Sequence, residues 1–459
     1  MTSPATVDVS ELLDEQKVGS FQIRVLVLCA LAVLLDGFNA QVIGYVAPAL
    51  AVGLHLSQRE MGPVFAASLV GVMVGTLTLG PLADRIGRRG IMIACTLTFG
   101  VLSAATALVN SFEALFLLRL FAGFGLGGAM PNAIALTAEF SPQRSRATMV
   151  MTMFCGFPIG AMIAGLAAAP MIPAYGWRSV FVLSGVLPIL LVPVLIVGLP
   201  ESIRHLVLEG GKSRQIAALL ARIDPRLVFS GEANFIINEE QVTRAAIGSL
   251  FRQRRARATI LLWIVFFASL LDLYLLSSWL PTVFHDAGLA LTLSIVAAAL
   301  FHAGGAGTSI VLGRFVDRFG AYRVLAWTYL LGAVAIALLG PARSAAGIMI
   351  LAFCAGIGVI GGQMGANLVA ASIYPTAIRS TGVGWALGIG RIGSIIGPFF
   401  GAFMLSGHWP IDTIFLASAV PAIVGAAAIY LMGRAQNATE AAGRSGPLPA
   451  PSGVEPRGA

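Results

Sequence analysis

Long apolar runs separated by short polar segments make up most of this chain of 459 residues. Twelve runs are long enough to cross a bilayer as α-helices, which takes about 20 apolar residues. They lie near 22–50, 60–82, 90–109, 113–138, 147–170 and 177–198, and, after a polar stretch at 199–258, near 259–284, 291–313, 323–340, 346–371, 382–405 and 411–433. The pattern predicts an all-α membrane protein with twelve transmembrane helices.

Composition excludes a soluble protein, because only 11% of the residues are charged whereas ordinary soluble domains carry about 25%. A net charge of +8 would suit a nucleic-acid partner. The basic residues cluster at helix ends instead, as the positive-inside rule expects, so no nucleic-acid partner is predicted. The first twenty residues lack a basic segment followed by an apolar one, so no cleaved signal peptide is expected.

The distribution of basic residues predicts the orientation. With both termini cytoplasmic, 24 of the 29 Lys and Arg residues face the cytoplasm, and only Arg59, Arg178 and Arg343 face outward. Such a bias sets the orientation of a membrane protein. We expect a multi-pass protein of the cell inner (cytoplasmic) membrane. The central loop carries ten of the inward charges, which fit either a topology determinant or an anionic-lipid contact.

An internal repeat divides the chain into two halves. GPLADRIGRR at 80–89 recurs as GRFVDRFGAYR at 313–323, so that Gly80 and Gly313 are 233 residues apart, as are Arg146 and Arg379. Several pairs at one offset predict two six-helix repeats with a site between them. The expected organisation is a cytoplasmic segment at 1–21, helix bundles at 22–198 and 259–433, a cytoplasmic loop at 199–258 and a disordered cytoplasmic tail at 434–459.

Four charged side chains fall within the predicted spans: Asp36, Arg119, Asp272 and Arg391. Charges in hydrocarbon are costly and usually face a polar cavity with a function. At the 233-residue offset, Asp36 maps to Ser269, Arg119 to Ala352 and Arg391 to Pro158, and Asp272 lies near the repeat position of Asp36 without matching it. Since these charges are not repeated, we expect them to serve a task.

Asp36, Arg119 and Asp272 are predicted to act in proton coupling. Arg391, in the glycine-rich run GIGRIGS, is the candidate for binding a substrate carboxylate through its planar guanidinium. Three alternatives remain: Asp36 is hydrogen-bonded within its bundle, Arg119 forms a fixed ion pair with Asp36 or Glu113, or Arg391 braces a helix.

Other polar and aromatic side chains are candidates for lining a substrate cavity: Asn39, His302, Gln363, Asn367, Tyr274 and Trp385. Asn39 shares a helix face with Asp36, and Gln363 shares one with Asn367. Tyr274 and Trp385 are suited to stacking on an aromatic ring. Each also has a structural interpretation, as a packing residue or an interhelical hydrogen-bond partner. The run GFGLGG at 123–128 predicts close helix packing, since no strand precedes it as a phosphate loop requires.

Several motifs resemble the major facilitator superfamily. They are GPLADRIGRR at 80–89, Glu139 placed seven residues before Arg146, and PESIRHL at 200–206, the last two being similar to the branch with the sugar porters. The resemblance implies a major facilitator fold with alternating access. It also implies a cytoplasmic latch between the halves, for which the candidates are Asp84, Arg85, Arg88, Glu139, Arg146, Asp317 and Arg318.

Four further stretches resemble the bacterial aromatic acid:proton symporter family. They are the DGF stretch around Asp36, YLLSSWLPT at 274–282, LFHAGGAGTSIVLGRFVDRFG from Leu300, and the segment 374–398 with GIGRIGS. The likeness covers about residues 20–432. Members of that family typically carry a second aspartate where this chain has Asn39, so the number of proton-binding groups stays open.

The predicted function is proton-coupled import of small aromatic carboxylates, such as benzoate or hydroxybenzoates, for aromatic hydrocarbon catabolism. The expected partners are the aromatic acid, protons and the lipid bilayer, with no cofactor or metal and a functional monomer. One alternative is a proton-coupled exporter or antiporter of amphipathic metabolites or drugs. Another is a membrane sensor of aromatic acids. An intramembrane enzyme is disfavoured, since neither HExxH nor GxSxG occurs.

Overall fold

The computed structural model describes residues 6–224, 226, 234–236, 247–251, 255–374 and 376–444. The first half contains β1 Thr6–Asp8, α1 Val9–Glu15, α2 Ser20–Gly53, α3 Gln58–Ile86, α4 Arg88–Thr106, α5 Phe112–Phe140, α6 Gln143–Phe154, α7 Gly156–Tyr175 and α8 Trp177–Gly198. The central region contains α9 Ile203–Glu209, α10 Ser213–Ile223, β2 Asn234–Ile236 and a 3₁₀ turn at Ile247–Phe251. The second half contains α11 Ala256–Asp286, α12 Leu291–Phe319, α13 Ala321–Leu339, α14 Ala345–Gly356, α15 Gly362–Ile373, α16 Thr376–Ser406 and α17 Ile411–Arg444.

Twelve spans in the described ranges are long and apolar enough to cross a membrane, which confirms the predicted number of transmembrane helices. α6 and α7 together form one span, Gln143–Tyr175. α14 and α15, joined by a π-helical turn at Ile357–Gly361, form another. α17 continues to Arg444, into the segment expected to be a disordered tail, and residues 445–459 lie outside the described residues.

The two halves repeat one another in packing as well as in sequence. Gly71 of α3 lies directly against the Leu120 carbonyl of α5, where an added Cβ would clash. At an offset of 233 residues, Gly304 of α12 lies in the same way against the Phe353 carbonyl of α14. Small residues allow such close helix approach. The GFGLGG run serves the same purpose, since its Gly123 lies against the Ser68 carbonyl. The predicted two six-helix repeats are confirmed.

The two halves pack against each other at one end of the molecule. There α2 meets α11, α3 meets α16 and α7 meets α12. One apolar cluster runs through both halves, and in it the rings of Phe65 and Trp279 meet edge to face with centroids 5.0 Å apart. We call this the closed end; it contains the connections at residues 54–57 and 287–290.

At the opposite end, the large apolar clusters each belong to a single half. Gly80 of α3 and Gly388 of α16 there have open space around the position of a Cβ. We call this the open end; it contains the connections at residues 141–142 and 320, the central region and the N-terminal segment.

The N-terminal segment and the central region fold onto the first half at the open end. β1 pairs in parallel with β2, aligning Thr6 with Asn234. Val9 and Leu13 of α1 are buried in the same apolar cluster as Leu220 of α10. These contacts anchor the segment that the sequence predicted to be a cytoplasmic N-terminal segment.

Candidate functional site

Asp36 and Arg391 come from different halves and interact electrostatically. Asp36 is 4% exposed in the middle of α2. Arg391, half-buried on α16, lies within electrostatic range of this carboxylate without forming an ion pair with it among the described residues. The Arg391 guanidinium forms no hydrogen bond or ion pair in the described part of the chain. The structure therefore brings together the predicted proton carrier and the predicted carboxylate-binding residue across the interface of the two halves.

Arg119 lies inside the first half without an acidic partner. It is 1% exposed, and its Nη2 donates to Thr106 Oγ1 at 2.8 Å and to Ser103 Oγ at 3.2 Å. Its guanidinium carbon lies 5.1 Å from the centroid of the Phe181 ring. Charge-assisted hydrogen bonds of about 1.5–3 kcal/mol each and the cation–π contact offset the cost of burying this charge. The ion pair with Asp36 or Glu113 that the sequence suggested does not form among the described residues.

Asn39 belongs to the same polar network as Arg119. Ser103 Oγ donates to Asn39 Oδ1 at 2.7 Å, and Asn39 Nδ2 donates to the Ser184 carbonyl at 3.1 Å. Ser103 therefore links Asn39 to Arg119. The amide of Asn39 satisfies its donor and its acceptor on α8 and α4, and its place in a substrate cavity stays a prediction.

Asp272 is the exact repeat counterpart of Asn39, at an offset of 233 residues. It is 1% exposed, and neither carboxylate oxygen has a hydrogen-bond partner among the described residues. The hydroxyls of Ser269 and Tyr329 lie near each other, and Tyr329 lies within electrostatic range of Asp272. A charge at this position would be uncompensated, at a cost of several kcal/mol. The two halves thus use the same position differently, with a bonded amide in one and an unpartnered carboxyl group in the other.

His302 lies at the closed end, within the contact between the halves. Its Nε2 is 3.5 Å from Ser277 Oγ, and its ring lies edge-on to Tyr45 with centroids 6.4 Å apart. Tyr45 in turn donates its hydroxyl to the Ala161 carbonyl at 2.8 Å. His302 therefore packs against Tyr45 of the other half at the closed end. A proton or ligand role for it stays a prediction.

The remaining cavity candidates are scattered. Gln363 is buried just after the π-helical turn, and its Oε1 has no hydrogen-bond partner among the described residues. Asn367, one turn further, is exposed, and Tyr274 is half-buried. Trp385 is 40% exposed and stacks on Trp263 with centroids 6.0 Å apart, so its ring already has an aromatic partner. Of these side chains, Gln363 has the unpaired polar atom that a ligand would satisfy.

The predicted gating residues of the first half form a bonded group at the open end. Arg88 contacts Asp84 at 3.1 Å and Glu139 at 3.0 Å. Glu139 also accepts from Ser202 Oγ at 2.8 Å and from the backbone N–H of Arg204 at 2.7 Å. The carboxylate of Glu139 therefore connects the start of α4, the end of α5 and the PESIRHL motif through one ion pair and several hydrogen bonds.

Arg146 and Arg379 repeat the same local geometry. The Nε of each donates to a backbone carbonyl five residues earlier, Ser141 in one half and Tyr374 in the other, both at 3.3 Å. Arg146 additionally pairs with Asp14 of the N-terminal segment at 2.9 Å. The shared hydrogen bond shows that these arginines shape the connection before the next span.

The remaining gating candidates are exposed at the open end. They are Arg85 of α3 and Asp317 and Arg318 of α12. Arg318 lies over the Phe319 ring at 5.3 Å. Asp84 makes no ion pair or hydrogen bond with the second half in the described ranges, so the predicted latch is not engaged in this conformation and stays a prediction.

A model of the Major Facilitator Superfamily matches residues 29–343 and 262–455 of the chain. The chain belongs to the major facilitator superfamily. This multi-pass membrane protein is therefore a member of a transporter family and not an enzyme.

Curated relatives cover this major facilitator protein almost completely. The 4-hydroxybenzoate transporter PcaK of Pseudomonas putida is 38% identical over 438 residues, which is 94% of this chain and 97% of the relative. The gallate transporter of Pseudomonas putida is 38% identical over 434 residues, covering 94% and 96%. Among solved structures, the D-xylose-proton symporter has a TM-score of 0.69 at 16% identity, covering 90% of this chain and 98% of its own, and supports the fold.

Sequence reasoning missed several residues of the site. Ser103, Thr106 and Ser184 carry no charge and sit in apolar runs, so nothing in their sequence context connects them to Arg119. The relation of Asp272 to Asn39 was readable from the 233-residue offset alone. Within this major facilitator fold, the helix-to-helix contacts rather than the residue types identify the polar network.

Proposed function

We propose that the protein imports small aromatic carboxylates by proton symport, with alternating access between the two halves. The observation that carries the proposal is that Arg391 of the second half lies within electrostatic range of the buried Asp36 of the first half. The names of the relatives, transporters of 4-hydroxybenzoate and gallate, support the substrate class.

Asp36 and the substrate compete for Arg391 in this mechanism. While Asp36 is ionised, its carboxylate is the counter-charge of the guanidinium. When Asp36 takes up a proton, Arg391 loses that counter-charge and becomes available for the carboxylate of an incoming acid, which it can hold through two parallel hydrogen bonds. Proton binding therefore favours substrate binding, and this linkage is reciprocal.

One proton carried with one monoanion moves no net charge across the membrane. Transport should then follow the pH gradient, worth about 1.4 kcal/mol per pH unit, and should respond little to membrane potential alone. Asn39 cannot titrate and is held by Ser103 and Ser184, so it supports a single coupling proton on Asp36.

The open end is assigned to the cytoplasm because the excess of basic residues lies at that end. The bonded group around Arg88 and Glu139 would keep the first half rigid while the halves rock. Asp84, 63% exposed on its side chain, is placed to meet the second half when the open end closes. The assigned membrane is the bacterial inner membrane.

The test is uptake of radiolabelled 4-hydroxybenzoate into proteoliposomes of known orientation, with the pH gradient and the potential imposed separately. The proposal predicts accumulation driven by an inwardly directed proton gradient, and little accumulation with potential alone. Asp36→Asn should lose accumulation against a gradient and retain exchange of labelled for unlabelled substrate. Ser269→Ala changes the repeat counterpart of Asp36 and serves as the matched control.

Three outcomes would contradict the proposal. Accumulation driven by potential alone would exclude electroneutral symport. Continued accumulation by Asp36→Asn would move the coupling proton to Asp272 or His302. Substrate movement only against the proton gradient would instead identify an antiporter.

A further inference from the structure

A lateral groove of about 920 Å³ lies between α12 and α13, with its floor on α14. Its walls include large apolar side chains: Val311, Leu312, Phe315, Trp327, Leu331 and Phe353. Trp327 is 69% exposed and Phe315 is 50% exposed. This groove is on the outer surface of the second half, and neither Asp36 nor Arg391 lines it.

The two hydroxyl groups in the groove wall already have hydrogen-bond partners. Thr308 Oγ1 donates to the Gly304 carbonyl at 2.7 Å, and Thr328 Oγ1 donates to the Val324 carbonyl at 2.8 Å. Since both hydroxyls are bonded to their own helix, they leave a predominantly apolar wall. The membrane-facing part of the groove therefore suits a hydrocarbon chain rather than a polar solute.

The length of the groove matches one leaflet of a bilayer. It runs along α12 from Gly304 to Arg318, which at a helical rise of 1.5 Å per residue is roughly 21 Å. Half of the hydrocarbon core is roughly 15 Å. The remainder is the depth of a headgroup, and the groove therefore begins near mid-membrane and ends at the open-end surface.

Two arginines form the surface end of the groove, Arg318 and Arg323. Both are exposed, and neither makes an ion pair in the described part of the chain, even with the neighbouring Asp317. In the first half, the repeat counterpart of Arg318 is Arg85, which is exposed as well, and that of Arg323 is Gly90. There Arg88 is bonded to Glu139, and Arg89 is bonded to Glu201 through its backbone N–H.

The acids that bind those first-half arginines are missing from the second half. At the 233-residue offset, Glu139 maps to Ser372 and Glu201 maps to Arg434. Arg318 and Arg323 therefore lie at the groove without a carboxylate partner among the described residues. An anion is the natural complement to this surface.

We propose that this groove binds one anionic phospholipid from the leaflet at the open end. The phosphate lies between Arg318 and Arg323, and an acyl chain lies along α12 and α13 against Phe315 and Trp327. The groove has positive charge at one end and an apolar channel of leaflet length along the rest. It therefore favours a lipid over a free anion, because a free anion would contact only the arginines.

Trp327 provides a direct readout of occupancy. The purified full-length protein is reconstituted in phosphatidylcholine with an increasing fraction of phosphatidylglycerol whose acyl chains carry bromine, which quenches nearby tryptophan. Trp327→Phe identifies the part of the quenching that belongs to the groove. Brominated phosphatidylcholine in the same host lipid gives the reference for a neutral headgroup.

The expected result is stronger quenching by the anionic lipid than by the neutral one, with a preference of roughly fivefold for each arginine. Arg318→Gln with Arg323→Gln should remove that preference. Arg314→Gln, which removes the same charge from the same helix outside the groove, should retain it. Millimolar inorganic phosphate should not relieve the quenching, since it cannot occupy the apolar channel.

Three results would overturn the proposal. The first is equal quenching by the two lipids in the unaltered protein, and the second is an anionic preference that survives the double arginine substitution. The third is quenching that falls as the protein-to-lipid ratio rises, which would identify a second copy of the chain as the occupant of the groove.

Discussion

A substitution at Gly44 is expected to change the relative populations of two conformations, one packed at the closed end and one packed at the open end. Gly44 lies on α2, where the first half meets α11 of the second. A Cβ at this position would be 2.5 Å from the Ser277 carbonyl oxygen, which is helix backbone and cannot move without moving α11. Gly44→Ala should therefore disfavour the packed closed end.

The size of the effect follows from overpacking. Adding a carbon to a well-packed contact costs about 1–3 kcal/mol, which changes the ratio of two conformations about 5–150-fold. The open end should then close in a larger fraction of molecules, because the two ends alternate. Tyr45, the next residue, lies edge-on to the His302 ring of the second half.

The measurement is the distance distribution between spin labels on the two halves at the open end. Ile86 and Phe319 are suitable labelling positions, since they are repeat counterparts and are 60% and 53% exposed. The cysteine-free background requires replacing Cys29, Cys95, Cys155 and Cys354. Gly44→Ala should move the distribution toward shorter distances.

Gly80→Ala is the matched control. Gly80 is also inside a helix, so both substitutions gain a similar helix propensity of about 1 kcal/mol. No atom lies within 4 Å of its added Cβ, so the control lacks the clash. If Gly44→Ala and Gly80→Ala give the same distance distribution, then contact at Gly44 does not hold the closed end.

Three further substitutions test the site and the gate. Arg391→Ala should abolish substrate binding and uptake and Arg391→Lys should restore little, because a point charge cannot form the bidentate contact; Arg343→Ala, at the closed end, should bind normally, and equal binding by all three variants would remove Arg391 from the site. Glu139→Gln should slow turnover more than it weakens binding, since it releases Arg88 without touching the Asp36 region; binding and turnover are measured on one preparation, and a selective loss of binding would contradict a gating role. Asp272→Leu should raise the midpoint of thermal unfolding, because it removes two unpaired buried oxygens that cost about 1–3 kcal/mol; a lower midpoint would show that Asp272 has a bonded partner in the folded protein.

The sequence determined the spans, their number and the repeat. A run of some twenty apolar residues has one stable arrangement in hydrocarbon, the helix, because every backbone N–H and C=O must be bonded within the chain. The 233-residue offset was visible in Gly80 and Gly313, and the same offset places Gly71 and Gly304 in identical helix contacts. Backbone hydrogen bonding in hydrocarbon and the internal sequence repeat are therefore enough to predict the spans, their number and the repeat.

Only the tertiary structure shows which charged side chains lie near one another. On sequence grounds Arg119 was as good a partner for Asp36 as Arg391, since all three lie within spans. The fold places Arg119 among Ser103, Thr106 and Phe181, and leaves Arg391 to act on Asp36. Whether two side chains on different helices meet depends on the rotation and depth of each helix. Packing of small residues such as Gly71 against neighbouring backbones sets that rotation. The position of a charged residue in the sequence does not show how its helix is rotated.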